Sequence, residues 1–208
     1  MCPAGLAECG EDERASGRRP GGPALRHLVT ADAGPGDSVA IDQHHVGHVE
    51  RSLGVDDAAG GAGADALVVG SPYYFGVDAA SQQRHVEAML SATPLPVLLY
   101  NIPQCTHTPL ALEMVAALAA EPRILGIKDS WGQMPYFQAL LTLKLKRPSF
   151  RVLQGHEHAA MASLLLGADG LIPGLGNIAP RVMVDLVRAA RAGDVPGCQK
   201  LHAEIFEL

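Results

Sequence analysis

The chain has no Cys-x-x-Cys pair and no metal-finger spacing among its four cysteines, Cys2, Cys9, Cys105 and Cys198. That absence excludes the common zinc modules and leaves reduced thiols in a cytoplasmic protein as the expectation. It has no run of about 18 apolar residues, so no membrane-spanning helix is expected. It has no basic excess either. A net charge of −6 argues against non-specific nucleic-acid binding, which needs a basic footprint. Residues 1–15 place acids before any basic cluster and contain no apolar stretch, so no secretory signal is read there. Lysine is scarce. Of 16 basic residues only Lys128, Lys144, Lys146 and Lys200 are lysines, which draws attention to each of them.

What the chain does contain is unevenly spread. Residues 1–58 hold eleven of Val, Ile, Leu, Met, Phe, Tyr and Trp, with no aromatic, whereas residues 64–100 hold fifteen. The first stretch follows no sustained period of 2 or 3.6. Ser38–Ile41 reads at most as a strand and Val46–Leu53 as a helix. The expected division is an irregular segment over 1–58 and an α/β domain over 59–208.

From Ala64 onward the pattern becomes regular. Apolar runs at Ala66–Val69, Pro96–Tyr100, Ile124–Lys128, Phe150–Gln154 and Gly170–Ile172 predict strands covered on both faces. Helices are predicted after Asp78, from Thr108 as N-cap with Pro109 at the first helical position, and over Met134–Leu143, His158–Leu166, Pro180–Arg191 and Val195–Phe206. Strand and helix alternating every 20–30 residues is the pattern of βαβ units on a parallel sheet. Periodicity does not separate a closed barrel from an open, doubly wound sheet.

In parallel α/β folds, chemistry gathers at the carboxyl ends of the strands. Here those ends read Ser71-Pro72-Tyr73-Tyr74, Tyr100-Asn101-Ile102-Pro103, Lys128-Asp129-Ser130, Gly155-His156-Glu157-His158 and Pro173-Gly174-Leu175-Gly176-Asn177. A lysine following Ile124-Leu125-Gly126-Ile127 sits in apolar surroundings, which disfavour the ammonium and leave an amine able to attack a carbonyl. Tyr100 on a neighbouring strand end could carry protons for that chemistry. The structural alternatives are a Lys128 paired with the adjacent Asp129, and a Tyr100 that is simply a core tyrosine with a satisfied hydroxyl.

Six strings, at matching order and spacing, carry a resemblance. They are Gly63-Ala64-Asp65-Ala66, Pro72-Tyr73-Tyr74, Leu99-Tyr100-Asn101-Ile102-Pro103, Gly126-Ile127-Lys128-Asp129, Gly167-Ala168-Asp169-Gly170 and Asn177-Ile178-Ala179-Pro180. Over about residues 64–208 the chain resembles the dihydrodipicolinate synthase / N-acetylneuraminate lyase family of pyruvate-dependent class I aldolases. The resemblance implies a (β/α)8 barrel of which strands four to eight are recognisable here, the N-terminal strands being missing or aberrant. It implies Lys128 as the Schiff-base lysine for pyruvate or another 2-keto acid and Tyr100 as the proton-relay tyrosine. Gly155 and Ile172 would line the pocket with backbone atoms. Tyr74 would enter a neighbouring subunit's site, which implies a homo-oligomer. The imine itself is the electron sink, so neither metal nor organic cofactor is implied.

The sequence also departs from the family. Where dihydrodipicolinate synthases carry an arginine clamp for a carboxylate, this chain has Cys105. An uncharged thiol makes no bidentate clamp. A 2-keto-3-deoxy sugar-acid aldolase is therefore the expected activity, with 4-hydroxy-tetrahydrodipicolinate synthase as the alternative. The family's Gly-Thr-Thr-Gly-like loop is not found, and the chain ends at Leu208, where family members usually continue. A catalytically inactive, truncated paralogue is the reading from another class, and an out-of-frame or mis-started translation of a GC-rich gene would account for residues 1–58. His44, His45 and His48 have helical spacing but lack the glutamate of a zinc-protease motif. His156 and His158 lie near the expected pocket, and Gly174-x-Gly176 could offer amides to an anion.

Overall fold

The computed structural model describes residues 64–208 apart from Tyr74, together with the backbone of Leu28–Thr30. Ser38–Ile41, Val46–Leu53 and the His44–His48 cluster lie outside the described residues. Six parallel strands form one sheet in chain order: β1 (Leu28–Thr30), β2 (Ala66–Gly70), β3 (Val97–Asn101), β4 (Ile124–Asp129), β5 (Arg151–Gln154) and β6 (Gly170–Leu171). Each strand pairs with the next in sequence, and the order never reverses. This is the winding of a barrel wall and not of a doubly wound sheet, which resolves what periodicity left open. The described strands make an arc of an incomplete barrel. β1 comes from within the segment read as irregular; three residues are too few to display a period.

The helices are α1 (Ala79–Ala92), α2 (Pro103–Thr106), α3 (Leu112–Leu118), α4 (Met134–Lys146), α5 (Ala160–Leu165), α6 (Pro180–Ala192) and α7 (Val195–Phe206). Asp78 caps α1 by accepting the Ser81 amide at 2.7 Å, as the sequence predicts. α6 ends on Gly193, whose φ of 71° suits a residue without Cβ, and Asp194 then caps α7 through the Gly197 amide. Among the described residues, no helix is long and apolar enough to cross a membrane.

One predicted helix start is displaced. Thr108 and Pro109 do not open a helix; α3 begins at Leu112. The Asn101 carboxamide takes the Leu110 amide at 2.9 Å, while Gln82 bonds the Pro109 carbonyl and the Ala111 amide. Two side chains from other elements thus hold residues 109–111 out of the helix, a tertiary override of local propensity. Similarly, the first residues of the predicted His158–Leu166 helix form a 3-10 turn (Glu157–Ala159) before α5.

The convex face of the sheet is the main core. Leu67, Val97, Leu99, Ile124, Ile127 and Val152 pack against α1, α3 and α4, with Phe137, Leu140 and Phe150 fully buried. Ile124 and Ile127 both face these helices although they are three residues apart. The pairing explains this: Val97 is opposite Ile124 but Leu98 is opposite Gly126, a bulge that absorbs Leu125. The extra residue restores the alternation and turns Lys128 to the concave face. A second cluster, of Ala160, Met183, Leu186, Cys198 and Ile205, joins α5, α6 and α7.

Candidate active site

Register assembles the site. Tyr100 is the partner of Lys128, and Lys128 is the partner of Leu153, so these three form one row across the concave face. Their neighbours Asn101, Asp129 and Gln154 form the next row, on the opposite face. The Lys128 ammonium nitrogen stands 4.3 Å from the centre of the Tyr100 ring. Lysine and tyrosine, 28 positions apart in sequence, are therefore in contact.

Lys128 is 3% exposed. Burial lowers its pKa from 10.5 to about 8, against a smaller opposing effect of the Glu157 carboxylate. Among the described residues no carboxylate lies within ion-pair distance of it, Asp129 included. Asp129 lies on the other face of β4, where its Oδ1 accepts from Asn101 at 2.6 Å and, at 3.4 Å, from the Trp131 amide. Adjacent residues of a strand point to opposite sides, so the simple Lys128–Asp129 pair does not form.

Tyr100 is buried, which raises its pKa, while the nearby Ser130 hydroxyl acts to lower it. Gly155 is where a side chain would not fit. A Cβ there would overlap Ser130 Oγ and come within 2.8 Å of Lys128 Cε. The glycine thus leaves the space in which the lysine and serine side chains converge. Ile172 follows β6 and donates its amide to the Gln154 carbonyl at 2.9 Å, one strand beyond Gly155. Tyr74 lies outside the described residues.

Three participants were not singled out by sequence reasoning. Ser130 is two residues beyond Lys128, and the period of a strand could have marked it as facing the same side. Glu157 was noted only as the spacer between two histidines. Its Oε1 accepts the Leu175 amide at 2.9 Å and ties the loop after β5 to that after β6. The anion expected at the Gly174-x-Gly176 turn is thus, at the Leu175 amide, supplied by the chain itself. Gln104, in α2, donates to the Ser130 carbonyl at 2.7 Å and pins the loop beneath that serine. Of the two loop histidines, His156 packs its ring over Gly132 and His158 stacks on Phe206 of α7 at 4.4 Å. Cys105 is exposed on α2 with a free thiol.

Asp129 carries its own test. Burial raises its pKa to about 6, only partly opposed by the bonds from Asn101 and Trp131, and among the described residues its Oδ2 has no partner. Because the folded-state pKa exceeds the unfolded value, the folded protein holds the proton more tightly. Stability is then lost as pH rises from about 4 to about 6. Asp129→Asn should remove that dependence, by about 1–3 kcal/mol, in urea melts compared at pH 4 and pH 7.

A sequential parallel barrel wall with a desolvated lysine against a tyrosine at its carboxyl edge defines a class: α/β-barrel proteins with an amine site. The sequence model of the Dihydrodipicolinate synthetase family matches residues 43–208, and the chain belongs to that family. Among solved structures it is similar to YagE, an Escherichia coli K12 prophage protein of the dihydrodipicolinic acid synthase family in complex with pyruvate. That likeness has 37% identity and a TM-score of 0.69, over 74% of this chain and 52% of YagE. Dihydrodipicolinate synthase from Bacteroides thetaiotaomicron is 32% identical with a TM-score of 0.68, over 74% of this chain and 52% of that one. A 4-hydroxy-tetrahydrodipicolinate synthase from Kosmotoga olearia is 34% identical over 159 residues, 76% of this chain and 54% of the relative. In sequence, YagE, provisionally named a 2-dehydro-3-deoxy-D-gluconate aldolase, is 35% identical over 81% of this chain and 62% of its own length. The chain thus spans between about half and 62% of the length of these relatives.

Proposed function

We propose that the chain is a Schiff-base lyase acting on pyruvate or a 2-keto-3-deoxy sugar acid, in reversible aldol cleavage and condensation. The observation that carries this reading is the buried Lys128 amine in contact with the Tyr100 phenol. In this scheme the Lys128 nitrogen lone pair adds to C2 of the keto acid. Tyr100 gives a proton to the carbinolamine hydroxyl, which leaves as water as the C=N bond closes. In cleavage, the tyrosine oxygen takes the proton of the C4 hydroxyl and the C3–C4 bond breaks. Its electrons pass into the iminium, giving an aldehyde and an enamine. Protonation at C3 and hydrolysis of the imine release pyruvate.

Cys105, where an arginine clamp is absent, favours a sugar-acid aldolase over 4-hydroxy-tetrahydrodipicolinate synthase, although relatives of both names are similar to this chain. A second reading is a catalytically inactive paralogue, and the trapping experiment below separates the two. On the first reading, residues 59–208 are the barrel domain, to whose sheet β1 (Leu28–Thr30) of the preceding segment adds a strand. The protein is cytoplasmic and acts as a homo-oligomer, with Tyr74 reaching a neighbouring site and Gly155 and Ile172 lining the pocket; light scattering on a size-exclusion column would give the oligomeric state.

Pyruvate trapping by borohydride, followed by peptide mapping, tests the reading. A reduced adduct on Lys128 is the expected result, and its absence from soluble, cooperatively folded protein would favour the inactive paralogue. Tyr100→Phe keeps the ring beside the lysine but loses the proton carrier. It should slow trapping by about 100-fold or more, without removing the adduct at long times.

A further inference from the structure

We infer that Asn101 and Asp129 are positioning residues for the reacting pair: the hydrogen bond between their side chains, on the convex face of the sheet, fixes the β3–β4 register that brings Tyr100 to Lys128 on the concave face. The inference rests on the Schiff-base reading above. Three observations support it. First, Asn101 Nδ2 donates to Asp129 Oδ1 at 2.6 Å, and the two residues are register partners one position beyond the Tyr100–Lys128 pair. Second, the carboxamide has a fixed direction, because the Leu110 amide donates to Asn101 Oδ1 at 2.9 Å and leaves Nδ2 for the carboxylate. Third, both residues are 0% exposed, and among the described residues Asp129 Oδ2 has no partner.

Burying two polar side chains costs stability, and a hydrogen bond offsets that cost only in the arrangement that makes it. Here the arrangement is a register. The bulge leaves Leu125 without a place in the β3–β4 ladder, so the pairing at the amino ends of these strands does not dictate the pairing at their carboxyl ends. Apolar rows discriminate poorly against a slip of two residues, which keeps every side chain on its own face. Such a slip would set Tyr100 opposite Gly126 or Ser130, away from the lysine. It would also set Asn101 opposite Ile127 or Trp131 and break its bond to the carboxylate. The bond therefore selects the register in which the Lys128 nitrogen and the Tyr100 ring stand 4.3 Å apart. Main-chain bonds at the same level, from the Ser130 amide to the Asn101 carbonyl at 2.8 Å and from the Gly155 amide to the Asp129 carbonyl at 2.7 Å, carry the alignment on to the loop after β5. Both side chains lie on the face away from the amine, so each acts through its neighbour in the strand. Without the bond the two strand ends can shift against each other, and displacements of about 1 Å at a reacting group cost up to about 100-fold in rate.

The test is single-turnover trapping of pyruvate by borohydride as a function of pyruvate concentration, on the alkaline plateau and well below the melting temperature of each variant of the full chain. The concentration dependence separates pyruvate affinity from the rate constant of imine formation. Asp129→Leu fills the same space but accepts no hydrogen bond. Its rate constant should fall about 10-fold, with half-saturation unchanged within about 2-fold. Asp129→Asn keeps an acceptor oxygen and should stay within about 3-fold of the unsubstituted chain. Asn101→Ala should also lose about 10-fold, and Asn101→Ala combined with Asp129→Leu no more than about 10-fold, because each substitution already breaks the one shared bond. If Asn101→Ala does not melt cooperatively, the leucine and asparagine variants of Asp129 decide alone. Equal losses in those two would assign the effect to the charge and overturn the inference. So would a loss of about 100-fold in the combined variant, the product of independent effects. A raised half-saturation with an unchanged rate constant would overturn it as well. If the unsubstituted chain forms no adduct, the Schiff-base reading fails and this inference fails with it. An adduct whose kinetics ignore Asp129→Leu overturns this inference alone.

Discussion

Lys128→Ala should abolish the reduced adduct that pyruvate and borohydride leave on the protein, and in the unsubstituted chain the trapping rate should rise with pH to a plateau above about 8. The plateau follows from the position of the lysine. An ordinary ammonium with a pKa of 10.5 would be neutral in only about 0.03% of molecules at pH 7, whereas a pKa of about 8 leaves about 10% neutral. The gain in attacking amine is about 300-fold, and it comes from burial, since among the described residues the charge acting on the group, Glu157, works against it. Glu157→Gln should therefore move the midpoint of the profile lower, read in the same assay. The same burial has a cost in stability. With the folded-state pKa below the unfolded one, the penalty is complete below about pH 8 and fades as pH rises through 10.5. Lys128→Met, which replaces the amine by an apolar chain of similar length, should accordingly melt higher than the parent at pH 7 while forming no adduct. A lysine whose trapping rate climbed without a break to pH 10 would be a solvated lysine, and the amine reading would fall.

Gly155→Ala should reduce the trapping rate constant by about 100-fold while leaving the fold largely intact. One added methyl group would overlap Ser130 Oγ and stand 2.8 Å from Lys128 Cε. Both of those side chains can turn, so the backbone need not move; what moves is the reacting amine. Displacements of about 1 Å at a reacting group are enough for a loss of that size. The check is to measure trapping and melting together. A large kinetic loss with a small change in melting temperature supports a displaced amine. Equal kinetics in the variant would mean that the lysine reaches its substrate from elsewhere.

The extent to which this protein could be read from its sequence follows from the range of the interactions concerned. The buried strands were legible because a strand covered on both faces must be apolar throughout, as in Val97-Leu98-Leu99 and Ile124-Leu125-Gly126-Ile127. The Asp78 cap of α1 and the α7 helix were legible because capping and periodicity act within a few residues. The start of α3 was not, because Asn101 and Gln82 reach residues 109–111 from 9 to 29 positions away and hold them out of the helix. β1 escaped notice because a three-residue strand is defined by its partner, Ala66–Val68, and not by any pattern of its own.

The sequence by itself determined the α/β class, the strand-end motifs and the lysine and tyrosine worth suspecting. These depend on composition and on periods of 2 and 3.6, which a linear chain displays. The tertiary structure alone decided that the strands follow one another in sequential order, and that the β3–β4 bulge turns Lys128 inward. It also decided that Asp129 belongs to Asn101 rather than to the lysine, and that Gly155 clears the space for Lys128 and Ser130. Each of these is a matter of register between strands. Register is fixed by packing between residues far apart in the chain, and a shift of one position would exchange the two faces of the sheet.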